Sequence, residues 1–466
     1  MRLFTLYCLI CFTCLFSQAS MPANTPFISL TDIHFNPFAA CNIDTTPCPI
    51  VEKLRTASAT EWNMILAEGD KTAPAFKQDT NYLLFQSALT HLKQNAADQK
   101  VRFVIILGDV LAHAFQENFE HYSSDKSSEA YQLFVNKTYA FITGELNRTF
   151  PTIDVYPVIG NNDSYAGDDA VDPHGAFYHD VSQVWTSTLI RNKAAKTAID
   201  NEFSANGYYA TDLPTRPSLR LIVLNASLFS QKARGENIDP AAYAELDWLH
   251  NEFAAAARNN QKILIAMHTP AGIDVYNTIR KSASQPIELW KPAFTERYIS
   301  ELQAYASSIV AILPAHLHMD WQQVLTFNNN HHIIVSGTPA LSPMFENNPS
   351  YKIFNYNTSR AVLSNFTTYY YPLDGDQTWR KEYNFNEVYQ PNCTACNILD
   401  GMQRLQPTNE LAEKYKLFFY TSKPNTTFIE KWLPFYWCQT QTITASTYAA
   451  CLVMNGSRIN ATRFPG

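Results

Sequence analysis

Short apolar runs recur along this chain, and one after another they end beside a residue able to bind a cation. The runs occupy 27–30, 101–107, 155–159, 263–267 and 309–313; beyond them stand Asp32 with His34, Asp109, Asn161, His268, and His316 with His318. Runs this short, rich in Val and Ile and in two cases closed by Gly108 or Gly160, predict buried strands of a layered α/β protein. Further strands are predicted at 219–224 and 332–335, and a late hairpin from 351–356 and 362–371. Apolar residues three and four apart predict helices at 52–66, 82–93, 128–146 and 241–257, the last opened by Asp239-Pro240. From residue 378 the pattern turns to mixed helix and loop. A helical C-terminal extension (376–466) is therefore expected beside a catalytic domain (25–375).

Each polar motif alone has an ordinary reading. Asp32 and His34 can be caps, Gly108-Asp109 and Gly160-Asn161 simple turns, and His268 a core histidine. In the pairs Asp32-Ile33-His34 and His316-Leu317-His318, an extended backbone is expected to turn both polar side chains to one face. Five strand ends that all carry carboxylate, imidazole or amide groups are not explained by five separate accidents. A sheet that gathers them predicts a metal site, and a two-metal one. A carboxylate such as Asp109 can bridge cations about 3.5–4 Å apart, which together hold the attacking and departing oxygens of a phosphoryl group.

Composition narrows the partners. The 466 residues carry a net charge of -7, so no general basic field favours nucleic acid, and no stable nucleic acid partner is expected. A metal-centred site still attracts a small anionic, phosphate-containing substrate. A monomer is expected. Met1, Arg2, the apolar run 3–16 and Ser17-Gln18-Ala19 read as a signal peptide over 1–19, which implies a secreted protein. Its removal takes Cys8, Cys11 and Cys14 and leaves six cysteines. Sequence neighbours suggest Cys41–Cys48, Cys393–Cys396 and Cys438–Cys451, although six cysteines allow fifteen pairings. Asn-x-Ser/Thr triplets at Asn136, Asn147, Asn225, Asn357, Asn365, Asn392, Asn425, Asn455 and Asn460 are candidate glycan acceptors. Trp432, Phe435, Tyr436 and Trp437 read either as core packing or as membrane contact. Neither a His-Glu-x-x-His helix nor a Gly-x-Ser-x-Gly elbow occurs, which argues against a zinc protease or a serine hydrolase.

The ordered series Asp32-x-His34, Gly108-Asp109, Gly160-Asn161, His268 and His316-x-His318 resembles the calcineurin-like metallophosphoesterase superfamily. The resemblance implies an α/β fold, a four-layer α/β/β/α sandwich, with a mainly helical, disulfide-containing C-terminal extension. It makes Asp32, His34, Asp109 and His318 ligands of a first metal, with Asp109 bridging to a second held by Asn161, His268 and His316. Zinc is the expected metal, with iron or manganese as alternatives. Within the superfamily, Gly108-Asp109-Val110-Leu111-Ala112-His113 looks like the acid sphingomyelinase-like phosphodiesterase branch.

Two departures follow. Gly160-Asn161-Asn162-Asp163 stands where the superfamily has Gly-Asn-His, and looks like the segment of the endopolyphosphatases; Ala315 stands where a Gly is usual. Asn162 can donate a hydrogen bond but cannot deliver a proton. His113 then becomes the first candidate for a proton donor or phosphate contact, and Asp163 the second. The implied activity is a two-metal hydrolase that cleaves phosphodiester or phosphoanhydride bonds of nucleotide-type soluble substrates. Metal-bound hydroxide attacks in line, with Asp109, Asn162 and His113 in catalytic roles. The alternatives are an endopolyphosphatase, a sphingomyelin-type lipid phosphodiesterase, or a metal-binding protein with little turnover.

Overall fold

The computed structural model describes residues 24–281, 285–327, 330–393, 395–405, 410–423 and 432–455. The signal-peptide expectation, and the triplets at Asn425 and Asn460, lie outside the described residues. Among the described residues, twelve strands form two mixed sheets. They are β1 (Asn24–Leu30), β2 (Phe103–Ile106), β3 (Asp154–Pro157), β4 (Tyr209–Asp212), β5 (Leu219–Val223) and β6 (Lys262–Ala266). The rest are β7 (Ile309–Leu313), β8 (Gln322–Thr326), β9 (His332–Ser336), β10 (Ser350–Asn357), β11 (Val362–Tyr370) and β12 (Arg380–Asn384). One sheet runs β12-β11-β10-β1-β2-β3 and the other β4-β5-β6-β7-β9-β8.

The centres are parallel: β1 with β2, β2 with β3, and β5 through β6 and β7 to β9. Parallel strands buried on both faces need continuous apolar sequence, and β2 (FVII) is buried at every position. Helices cover the outer faces. The helix Tyr82–Asp98 lies across β10 and β11, where Asn95 donates to the Tyr351 hydroxyl at 2.8 Å and Gln99 to that of Tyr369 at 2.7 Å. On the other sheet, Glu252 of the helix Ile238–Arg258 accepts from Arg220 of β5 at 2.8 Å. The result is an α/β sandwich of two sheets.

The predicted elements reappear with small shifts at their ends, but the 52–66 helix is broken. Pro49–Thr56 and Trp62–Gly69 are separate, because Ser58 and Glu61 form a capping box that starts a new turn. The strands β4, β8 and β12 carry no strong apolar run and went unpredicted. β12 reads RKEYN, charged as edge strands often are, and occupies sequence expected to be helix and loop.

The C-terminal region is mainly helical, with Glu410–Phe419, Leu433–Gln439 and Ala445–Met454. It docks on the edge strand β8: Val324 donates from its backbone to Thr440 O at 2.9 Å, and Gln323 Nε2 to Gln439 O at 2.8 Å. Within the aromatic group 432–437, Trp432, Phe435 and Trp437 are buried. Among the described residues, three disulfides join the sequence neighbours Cys41–Cys48, Cys393–Cys396 and Cys438–Cys451. Asn225 is 0% exposed, so the folded chain offers no glycan acceptor there. Among the described residues no helix is long and apolar enough to cross a membrane.

Candidate metal centre

Parallel strands of both sheets end at one place, and their following loops turn sharply there. Asp32 (φ 46°), His34 (φ 40°), Asp109 (φ 52°), His316 (φ 69°) and His318 (φ 61°) all adopt left-handed backbone. This corrects the expectation that the Asp-x-His and His-x-His pairs alternate on extended backbone. Left-handed conformations cost energy in non-glycine residues and persist where surrounding contacts over-determine them. Those contacts are present: Asp32 N donates to Gly108 O at 3.0 Å, His34 N to Asp109 O at 2.9 Å, and Ala340 N to His318 O at 3.1 Å.

The side chains form adjoining clusters. Asp32, His34 and Asp109 offer ligand atoms within 4.8 Å of one another, as do His34, His113 and His318, and likewise Asp109, His268 and His316. Asp109 Oδ2 lies 3.5 Å from His34 Nε2 and 3.0 Å from His268 Nε2, so it stands between the two groups. Asp32 Oδ1 is 3.3 Å from His318 Nε2 and 3.7 Å from His34 Nε2. The His316-Leu317-His318 turn splits its pair. His316 packs against His268 (ring centroids 5.3 Å apart) and His318 against His34 (5.1 Å).

Two divalent-metal-binding clusters are thus present, and the chemistry of their donors fits cations. His34 Nδ1 hydrogen-bonds Leu111 O at 2.9 Å and His268 Nδ1 hydrogen-bonds Leu107 O at 2.7 Å. Each carbonyl accepts a hydrogen bond from Nδ1–H, so Nε2 is the nitrogen turned toward the cluster, open to a cation once its proton leaves. His34 Nε2 and His318 Nε2 face each other at 3.3 Å, an arrangement a shared cation relieves. Asn161 Oδ1 is buried without a hydrogen-bond partner among the described residues, while Asp32 Oδ1 and His268 Nε2 have only other candidate ligands beside them, at 3.0 Å or more. Native structures rarely leave such atoms orphaned.

The electrostatics carry the same imprint. Burial opposes ionisation of Asp32, yet the His318 and His268 imidazoles hold its carboxyl well below the usual range. Asp109 behaves alike beside His268 and His34. Burial is likewise outweighed at His34, pushed up to about 10 by Asp32 and Asp109, and at His268, pushed up to about 9 by Asp109. At His316 burial prevails, helped by the His268 charge, and lowers it to about 3.

The loops after β2 and β3 are clamped together by Asp163. Its carboxylate accepts from Val110 N at 2.9 Å, Leu111 N at 3.2 Å and Gly160 N at 2.9 Å. Asp163, the second candidate for the role given to His113, thus has its oxygens engaged by backbone. Beside His113 stands Asp79. His113 Nδ1 is 2.9 Å from Asp79 Oδ1, and His113 N donates to Asp79 Oδ2 at 2.9 Å. His113 itself stacks on His34 with centroids 3.9 Å apart, at the rim of the first cluster. Asn161 Nδ2 donates to Asn162 Oδ1 at 2.7 Å, and Asn162 N donates to Asp109 Oδ1 at 2.8 Å. Asn162 Nδ2 is left as a buried donor without a partner among the described residues.

Sequence reasoning missed Asp79 because nothing local distinguishes it: it lies 34 residues before His113, in a loop ahead of a helix. It also missed the pair that supports the loop after β7. Lys352, 0% exposed, lies 2.7 Å from Asp320 and donates to Gly337 O at 2.6 Å.

Residues 25–320 match the family described as calcineurin-like phosphoesterase. Among similar proteins, the cyclic GMP-AMP phosphodiesterase SMPDL3A of Bos taurus is 26% identical over 390 residues, covering 80% of this chain and 80% of that protein. The acid sphingomyelinase-like phosphodiesterase 3b of Mus musculus is 22% identical, covering 93% of this chain and 91% of the relative. The sphingomyelinase phosphodiesterase C of Dictyostelium discoideum is 25% identical, over 74% of this chain and 75% of its own. Among solved structures, a dimetal phosphatase from Danio rerio aligns with a TM-score of 0.41 at 13% identity, covering 74% of this chain and 95% of its own. The chain belongs to the calcineurin-like phosphoesterase family and is a metal-dependent phosphoesterase, homologous to the sphingomyelinase-like branch.

Proposed function

We propose that this protein is a phosphodiesterase that cleaves a nucleotide-type diester by in-line attack of water, with Asp32, His34, Asp109 and His318 holding one divalent cation and Asp109, Asn161, His268 and His316 the other. The observation that carries this reading is the position of Asp109 Oδ2, 3.5 Å from His34 Nε2 and 3.0 Å from His268 Nε2. Mixed nitrogen and oxygen donors suit zinc, with iron or manganese as alternatives. When bound, the two cations polarise the phosphoryl group and supply an activated nucleophile.

The chain's own residues do the remainder. Asn162 Nδ2 offers a hydrogen bond to a phosphoryl oxygen. His113, with Nδ1 engaged by Asp79 at 2.9 Å, keeps Nε2 to protonate the leaving oxygen. The phosphorus–oxygen bond to the leaving group breaks as the bond to water forms, so no covalent enzyme intermediate arises. A phosphomonoester and an alcohol result.

A second reading, a sphingomyelin-type lipid phosphodiesterase, is favoured by the relatives from Dictyostelium discoideum whose names carry that activity. The nucleotide reading draws on the relatives named for cyclic GMP-AMP. Both substrates are phosphodiesters, and neither group is named for polyphosphate. We extend the proposal to export behind a 1–19 signal peptide, to a 25–375 catalytic domain with a 376–466 extension, and to action as a monomer; the three disulfides support an oxidising compartment.

The test is a product assay on metal-supplied protein with a cyclic dinucleotide, thymidine 5′-p-nitrophenyl phosphate, sphingomyelin in detergent micelles, and polyphosphate. Chelator-sensitive hydrolysis of the nucleotide diesters is expected. Turnover of sphingomyelin alone selects the lipid reading, and turnover of polyphosphate alone selects an endopolyphosphatase. No turnover at full metal occupancy leaves a binding protein.

A further inference from the structure

One large apolar side chain stands open beside the metal donors. Phe345 is 45% exposed, yet its ring packs nearly perpendicular to His318 (4.5 Å between centroids, 85°) and to His113 (5.9 Å, 77°). Leaving this much apolar surface in water gains nothing for the fold, and contact with His318 alone does not require it.

The loop that carries Phe345 is tied to the ligand loops on several sides. Leu341 N donates to Thr31 O at 3.1 Å and Ser342 N to Asp32 O at 3.0 Å. Ser342 Oγ donates to Asp79 Oδ1 at 3.0 Å, the same oxygen that engages His113. Lys77 N donates to Pro343 O at 3.1 Å, and Glu346 N closes a turn back to Pro343 O at 3.1 Å. Asn347, 0% exposed, donates from Nδ2 to Ser342 O at 3.1 Å. An open aromatic ring on a fixed loop is preorganised for a ligand, because little side-chain or loop freedom is lost on binding.

We infer that Phe345 is a specificity-determining residue: its ring stacks on the nucleobase of a phosphodiester whose phosphorus sits at the two metal clusters. This inference rests on the phosphodiesterase reading and adds the part of the substrate beyond the phosphate. A flat base suits a single ring face, since every base has a π-face and stacking on an aromatic side chain tolerates sequence. A quaternary ammonium headgroup is recognised by cages of several aromatic rings. The ring's position beside His113 puts the base on the flank of the proposed proton donor.

Thymidine 5′-p-nitrophenyl phosphate and methyl p-nitrophenyl phosphate share a leaving group and differ in the nucleoside. The ratio of their kcat/KM values therefore isolates the nucleoside contact. Phe345→Ala is expected to lower that ratio about tenfold, within the range known for base–aromatic stacking, and Phe345→Trp to restore it. Calorimetry with thymidine 5′-monophosphate should show weaker binding by Phe345→Ala to a similar degree, with metal content unchanged. An unchanged ratio together with unchanged binding overturns the inference. So does a fall in metal content that accounts for the loss, since Phe345 would then only support His318. If the wild type hydrolyses neither ester, the phosphodiesterase reading fails, and the binding measurement still decides whether Phe345 meets a base.

Discussion

His113 meets Asp79 through both its ring and its backbone: Nδ1 lies 2.9 Å from Oδ1, and the backbone N–H donates to Oδ2 at 2.9 Å. The carboxylate fixes where the imidazole points and which nitrogen carries the proton. Burial opposes ionisation of Asp79, but the hydrogen bond from His113 holds its carboxyl below the usual range.

Asp79→Asn should therefore keep the fold and the metals yet lower kcat about 10- to 100-fold, as loss of an orienting partner does at comparable sites. Metal analysis beside the kinetics checks this. Loss of metal in proportion to activity would instead make Asp79 a support of the cluster.

The contact between the β2 and β3 loops leaves no room for a side chain at residue 160. A Cβ there would overlap Asp109, both its carboxylate and its backbone N, and Gly108 (φ 91°) is pressed against Gly160 in turn. Gly160→Ala is expected to cost about 1–3 kcal/mol of stability and to displace the carboxylate shared by both clusters. The check is a lower Tm together with sub-stoichiometric metal; full metal content would show that the loop gives way harmlessly.

Protons compete with cations for these imidazoles. In the metal-free protein, His34 titrates at about 10 and His268 at about 9, above the ordinary value of 6.5. Their contribution to stability is complete below about 6.5 and is lost as pH rises through about 9 to 10. His316, lowered to about 3, acts in the other direction: it costs the fold nothing above about 6.5 and destabilises it progressively as pH falls from about 6.5 toward 3. Metal-free protein should thus show its highest Tm near neutrality and a falling Tm toward pH 10, a fall that bound metal removes. Metal uptake at pH 7 should release protons, measured by calorimetry in buffers of different ionisation enthalpy.

The C-terminal helices Leu433–Gln439 and Ala445–Met454 are joined by Cys438–Cys451, which closes a separation of 13 residues. Replacing both cysteines by serine should lower stability by up to about 3 kcal/mol, the chain-entropy value for a loop of this size. Thermal melts of the variant test this. An unchanged Tm would mean that the packing of Tyr448 and Phe435 holds the pair unaided.

Much of this architecture was legible because strands buried on both faces must be apolar throughout. The runs ending at Leu30, Ile106 and Leu313 have no other explanation in an α/β chain, and the polar residues beyond them stand out. Edge strands are less constrained, so β4, β8 and β12 carried no comparable signal. The gathering of Asp32, His34, Asp109, His268, His316 and His318 could be expected from their types and positions. Their left-handed backbone could not, because neighbours across both sheets impose it rather than local propensity. Asp79, Phe345 and the Lys352–Asp320 pair act through contacts made only once the sheets meet.

Metal stoichiometry measures the central feature most directly. Wild-type protein loaded with zinc, iron or manganese and then freed of excess ion should retain two equivalents per chain by elemental analysis. Asp109→Asn should remain folded while losing metal and nearly all turnover. Retention of one equivalent or none by the wild type, or a fully loaded and active Asp109→Asn variant, would contradict a paired centre built around that carboxylate.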